Sequence, residues 1–118
     1  RALGVEIGVG FGRALLRAIA GWQTDKTVAL ICSGGLSHFV VDEELDARVL
    51  GAIAARDVSR VVDLPETYFQ AGSSEIKNWI PVIGAMAELG LAPNVVDYVP
   101  CYRSEAGTGN AMGFVYWQ

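Results

Sequence analysis

Residues Thr27 to Cys32 read Thr-Val-Ala-Leu-Ile-Cys, a continuous apolar run rich in branched side chains. The polar turn Thr24-Asp25-Lys26 precedes it and Ser33-Gly34-Gly35 ends it. A strand with one wet face alternates polar and apolar residues. A short run without that alternation predicts a strand covered on both faces. Strands that alternate with helices along the chain favour an α/β arrangement, with helical layers above and below the sheet.

The flanking segments supply those layers. Phe11 to Trp22 reads as an amphipathic helix, with Leu15, Leu16, Ile19 and Trp22 at helical spacing and Arg13 and Arg17 on another face. Asp42 is placed to cap a helix running to about Ala55, with Glu43 and Glu44 in its first turn where the dipole favours them. Val58 to Leu64 is short and ambiguous, and Pro65 to Ser74 reads as a loop. Ser73 or Ser74 is placed to cap a third helix ending before Gly90, which Pro81 should kink or split. Asn94 to Tyr102 predicts a strand weakened at its end by Pro100. Arg103 to Asn110 reads as a polar, glycine-bearing loop, and Gly113 to Trp117 as a closing strand. The expected class is α/β, a layered helix–sheet–helix arrangement with a mixed sheet.

These strands are few for a complete sheet. The 118 residues are 52% hydrophobic and only 19% charged, which points to apolar surface given to a partner or to further chain. Arg1 is not a natural start. Residues 1–118 are therefore expected to be a trimmed, processed or incomplete chain. The net charge of −4 and the lack of a basic stripe argue against a nucleic-acid partner. No apolar run approaches the ~20 residues a membrane span needs. Cys32 and Cys101 match no metal spacing and sit among apolar residues. Two buried, reduced thiols are expected, as suits a cytoplasmic location.

Two residues carry the chemistry. His38, the sole histidine, ends Ser33-Gly34-Gly35-Leu36-Ser37-His38 just after the apolar run. Sites in α/β folds gather at strand ends, and an imidazole exchanges protons near neutral pH. An ordinary loop histidine is the other reading. The stretch is not a nucleophile elbow, because Phe39 stands where the second glycine belongs. Ser37 as a hydrolase nucleophile is thus disfavoured. Gly8-Val9-Gly10-Phe11-Gly12 and Gly107-Thr108-Gly109 miss the dinucleotide spacing. The second candidate, Glu75, falls on the helical stripe of Trp79, Val82, Met86 and Leu89, where a carboxylate is costly unless paired or bound to a cation. A first-turn glutamate favoured by the helix dipole is the alternative. Glu43, Glu44, Asp46, Glu66 and Glu88 read as solvated, and Arg103 and Glu105 as loop charges.

Three stretches together resemble the class III extradiol ring-cleavage dioxygenases, the group of the protocatechuate and gallate ring-cleaving enzymes. They are Ser33-Gly34-Gly35-Leu36-Ser37-His38-Phe39, then Gly72-Ser73-Ser74-Glu75-Ile76-Lys77-Asn78-Trp79 with Gly84-Ala85-Met86, then Gly109-Asn110-Ala111-Met112-Gly113-Phe114. The resemblance implies the C-terminal half of a catalytic subunit that opens a catechol-type ring with O2 at non-haem Fe(II). It maps the family's glutamate ligand onto Glu75 and its acid–base histidine, which is not a ligand, onto His38. The two ligand histidines of the family's facial triad have no counterpart here. The isolated chain is expected to be inactive without them. Expected partners are the diol, O2, and either copies of the chain, a second subunit or an N-terminal half. A non-catalytic binding or structural domain of the same fold is the alternative.

Overall fold

The computed structural model describes residues 3–118. Its longest helix, α1 (Leu3–Gly21), begins well before Phe11, where the amphipathic pattern placed the start. The reason is the glycine cluster. Gly12 touches the Pro81 carbonyl so closely that a Cβ would overlap it. Reciprocally, a Cβ on Gly84 would stand 2.6 Å from the Val9 carbonyl oxygen. Backbone-to-backbone packing against α4 (Trp79–Leu89) offsets the poor helix propensity of glycine. Arg13 and Glu88 bridge the rim of this crossing at 3.3 Å.

The sheet has three strands, β1 (His38–Val40), β2 (Pro93–Tyr102) and β3 (Thr108–Trp117), in the order β1-β3-β2. Helices and a sheet thus combine in the α/β class expected. Both pairings are antiparallel, so no parallel pair of a mixed sheet occurs among the described residues. The closing strand begins at Thr108 rather than Gly113, because a tight turn joins β2 to β3, with Arg103 N–H donating to the Thr108 carbonyl at 2.7 Å. Gly109 allows the crowding there, since a side chain would strike the Cys101 carbonyl. Pro100 is tolerated because β2 is an edge strand.

The apolar run Thr27–Cys32 corrects the expectation of a strand covered on both faces. It belongs to no ladder, and Ile31 is 80% exposed. A strand is completed by neighbours that take its N–H and C=O groups, and none of β1–β3 pairs with it.

Asp42 caps α2 (Glu43–Ala54) by accepting from Leu45 N–H at 2.9 Å, as its position predicted. The ambiguous Val58–Leu64 holds one helical turn, α3 (Ser59–Val62). The third predicted helix is split. Ala71–Asn78 winds as a 3-10 helix, and α4 follows with Pro81 in its first turn, where a missing N–H costs least. Neither serine caps it, while Gly90 ends α4 in the left-handed conformation. The core gathers Val5, Leu36, Val49, Phe69, Ile76 and Ile80.

Much apolar surface stays open. Leu3, Ile7 and Phe11 line one exposed face of α1, and Met112, Phe114 and Tyr116 alternate along the outer face of β3. Cys101 is exposed rather than buried, and Cys32 is half-buried with its thiol pushed up by desolvation. No helix among the described residues is long and apolar enough to cross a membrane.

The crossing of α1 and α4 predicts opposite effects at neighbouring glycines. Gly12→Ala should destabilise by about 1–3 kcal/mol through overpacking. Gly10→Ala, with open space around it, should stabilise by about 0.5–1 kcal/mol. Urea denaturation of both variants checks the pair; equal effects would contradict the close approach.

Candidate active site

The stretches around His38, Glu75 and Asn110 are far apart in sequence and meet in space. The Ser33-Gly34-Gly35 loop is tied to the second stretch by its carbonyls. Asn78 Nδ2 donates to the Ser33 carbonyl at 3.1 Å, and Trp79 Nε1 donates to those of Gly34 and Gly35 at 3.2 and 3.1 Å. Ser73 Oγ accepts from His38 N–H at 3.3 Å, and Gly72 lies so near His38 that a Cβ would stand 2.7 Å from the histidine Cβ. The third stretch closes the other side. Leu36 N–H donates to the Ala111 carbonyl at 2.9 Å, and Ala111 N–H to the Ser37 carbonyl at 2.8 Å.

Between these walls lies a cavity of about 190 Å³, lined by Gly34, Gly35, His38 and residues 110–114. A cavity of ~150 Å³ can take up benzene, so this one has room for a single aromatic ring. A larger apolar groove, about 420 Å³, lies between Leu16, Val28–Cys32 and Leu89. It carries no histidine or carboxylate and offers no chemistry of this kind.

His38 is oriented by its own loop. Its Nδ1 lies 2.8 Å from the Leu36 carbonyl oxygen. A carbonyl can only accept, so Nδ1 carries the proton of the neutral ring. The lone pair is then on Nε2. A Cβ at Gly35 would come within 2.6 Å of His38 Cε1 and 3.3 Å of Nε2. The glycine leaves that edge of the ring open.

Glu75 comes to the neighbouring residue of the same turn. Its Oε2 lies 2.7 Å from where a Cβ at Gly34 would stand. Gly34 also adopts φ 147°, which disfavours any side chain there. The structure thus brings both predicted residues to one glycine pair. His38 lines the cavity, and Glu75 lies beside it without forming its wall. Glu75 reaches this place from a 3-10 helix, so the α-helical stripe that singled it out does not hold in that form.

A group missed in the sequence organises the loop. Asp46, read as solvated, is fully buried. Its Oδ1 accepts from Ser37 N–H at 2.9 Å, and its Oδ2 from Ser37 Oγ–H and Tyr98 Oη–H, each at 2.7 Å. Ser37 Oγ in turn accepts from Asp42 N–H at 2.8 Å. The Ser37 hydroxyl is buried with donor and acceptor engaged, which removes it as a nucleophile. Asp46 lies three and four residues before Val49 and Leu50, both buried on α2, so its place on the apolar stripe was visible.

The other carboxylates fit their reading more closely. Glu44 pairs with Arg48 on the surface, and Glu66 pairs with Lys77 at 2.7 Å, which holds the Glu66 carboxyl below its ordinary value. Arg103 and Glu105 are exposed at the turn between β2 and β3. Among the described residues, no three His, Cys, Asp or Glu side chains gather as a metal-binding group. The chain matches no protein-family model, no curated protein and no solved structure.

Burial and the bond to Asp46 push the Tyr98 phenol well above its ordinary value near 10. A raised folded value means that this stability is whole below about pH 10. It drains as pH rises through the folded value, since the unfolded phenol ionises first. Tyr98→Phe should cost about 1–2 kcal/mol at pH 7. The variant should also lose stability less steeply than the parent above pH 10, which denaturant unfolding across pH 7–11 checks.

Proposed function

We propose that this chain is the C-terminal half of a non-haem Fe(II) extradiol dioxygenase that opens a catechol-type ring with O2. The observation that carries the reading is the convergence just described. Two of the three stretches resembling one enzyme family line a ring-sized cavity and the third packs against the Gly34-Gly35 turn, which brings His38 Nε2 and the Glu75 carboxylate to adjacent glycines.

Glu75 would supply the single carboxylate of a two-histidine, one-carboxylate set. His38 is the only histidine here, so both imidazole donors come from outside these 118 residues. When bound, Fe(II) supplies Lewis acidity toward a diol and the redox chemistry of O2. The chain's own residues do the rest. The free Nε2 of His38 takes a proton from a diol hydroxyl and returns it later, while Nδ1–H stays on the Leu36 carbonyl. Gly34 and Gly35 leave room for a flat ring, and Phe114 and Met112 offer it apolar contact.

The exposed apolar faces of α1 and β3 suit a further chain, whether an N-terminal half, a second subunit or another copy. A cytoplasmic, reducing location suits two free thiols. The second reading, a non-catalytic binding or structural domain of the same fold, is motivated by the two ligand histidines that these 118 residues do not supply.

The test uses a longer chain, or a complex, that supplies the missing histidines. His38→Ala should lower catechol-dependent O2 uptake by about 10²–10⁴-fold while iron content stays at the parent level. Glu75→Ala should lose the iron. Retention of iron without Glu75 would remove it as a ligand, and an iron-free parent would favour the non-catalytic reading.

A further inference from the structure

The peptide unit between Leu36 and Ser37 has both of its polar ends occupied, and the two partners make an unassigned connection. Its N–H, on Ser37, donates to Asp46 Oδ1 at 2.9 Å. Its carbonyl, on Leu36, accepts from His38 Nδ1–H at 2.8 Å. A buried carboxylate and the only imidazole of the chain thus grip opposite ends of one planar amide.

We infer that Asp46 is a positioning residue for His38, acting through the Leu36–Ser37 peptide. The physical reason is polarisation. An anionic acceptor on an amide N–H shifts electron density toward the carbonyl oxygen, and chains of hydrogen bonds strengthen one another in a low dielectric. The Leu36 carbonyl becomes a better acceptor for Nδ1–H, which fixes the tautomer and the ring plane. When Nε2 takes a proton from a substrate hydroxyl, the electron pair of the broken O–H bond stays on that oxygen. The imidazolium then keeps its Nδ1–H on the polarised carbonyl. The arrangement does the work of a carboxylate bonded directly to an imidazole, with one amide interposed.

The surroundings hold this relay rigid. Asp46 is fully buried, and its other oxygen is saturated by Ser37 Oγ and Tyr98 Oη. The neighbouring groups of the loop are also engaged, with Ser37 carbonyl on Ala111 N–H and His38 N–H on Ser73 Oγ. The proposal rests on the reading of His38 as a proton-transfer group, but its test does not need ring cleavage.

In this chain the imidazole nitrogen resonances belong to His38 alone, so ¹⁵N NMR reads the tautomer directly. The neutral ring of the parent should carry its proton on Nδ1. Asp46→Asn should lower the ratio of Nδ1–H to Nε2–H about two- to threefold, because the amide passes on only part of the difference between a charge-assisted and a neutral hydrogen bond. Ser37→Ala removes the hydroxyl but keeps the relaying N–H, so its ratio should stay at the parent value. An equal fall in both variants would mean simple loosening of the loop and would overturn the relay. An unchanged ratio in folded Asp46→Asn would overturn it too. If Asp46→Asn does not fold, the parent still decides, because a ring protonated mainly on Nε2 rules the relay out. A tautomer pattern as expected, with no ring cleavage by a longer chain or complex that supplies the missing histidines, would uphold the relay and sink the dioxygenase reading alone.

Discussion

A carboxylate stripped of water is tolerated only when protein donors replace the solvent, and Asp46 is held in that way. Three donors from two separate elements converge on it, two from Ser37 and one from Tyr98 of β2. The helix that bears it, α2, starts on the Asp42 cap, whose own N–H returns to Ser37 Oγ. This one buried acid therefore ties a helix, a loop and a strand together. It is worth more as a specifier of geometry than as net stability, because desolvation cancels much of what its hydrogen bonds contribute.

The loop it anchors is fixed from the opposite side by amide and indole donors on Asn78 and Trp79. Asn78 ends the 3-10 helix and Trp79 begins α4, which packs on α1 through glycine-to-backbone contact. The rigidity of the Gly34-Gly35 turn thus descends from helix packing in the core to carbonyls at the cavity mouth. Glycine is needed at this turn for space: a methyl at residue 34 would meet Glu75, and one at residue 35 would meet His38. Small residues at this turn and functional groups around it are two aspects of one constraint.

Local chemistry was legible in the sequence and long-range partnership was not. The Asp42 cap, the Gly90 stop, the Pro81 break and the β2 strand follow from interactions within a few residues, and each lies where its residues place it. The Thr27–Cys32 run failed because a strand is defined by its neighbours, which no periodicity encodes. Asp46 is a different case. The stripe criterion that singles out Glu75 holds equally for Asp46, which shares a helix face with Val49 and Leu50. Glu75 reached its place through a 3-10 helix that the stripe did not foresee. Cys101 faces outward because strand alternation, rather than apolar neighbours, sets its side.

The account stands on His38 and Glu75 serving one substrate at the Gly34-Gly35 turn. A crystal structure of the iron-loaded protein with a catechol-type inhibitor tests this most directly. The account predicts the ring between Phe114 and the glycine pair, an inhibitor oxygen within hydrogen-bond reach of His38 Nε2, and Glu75 on the metal. A ring seated in the apolar groove beside α1, or a metal held without Glu75, would contradict it.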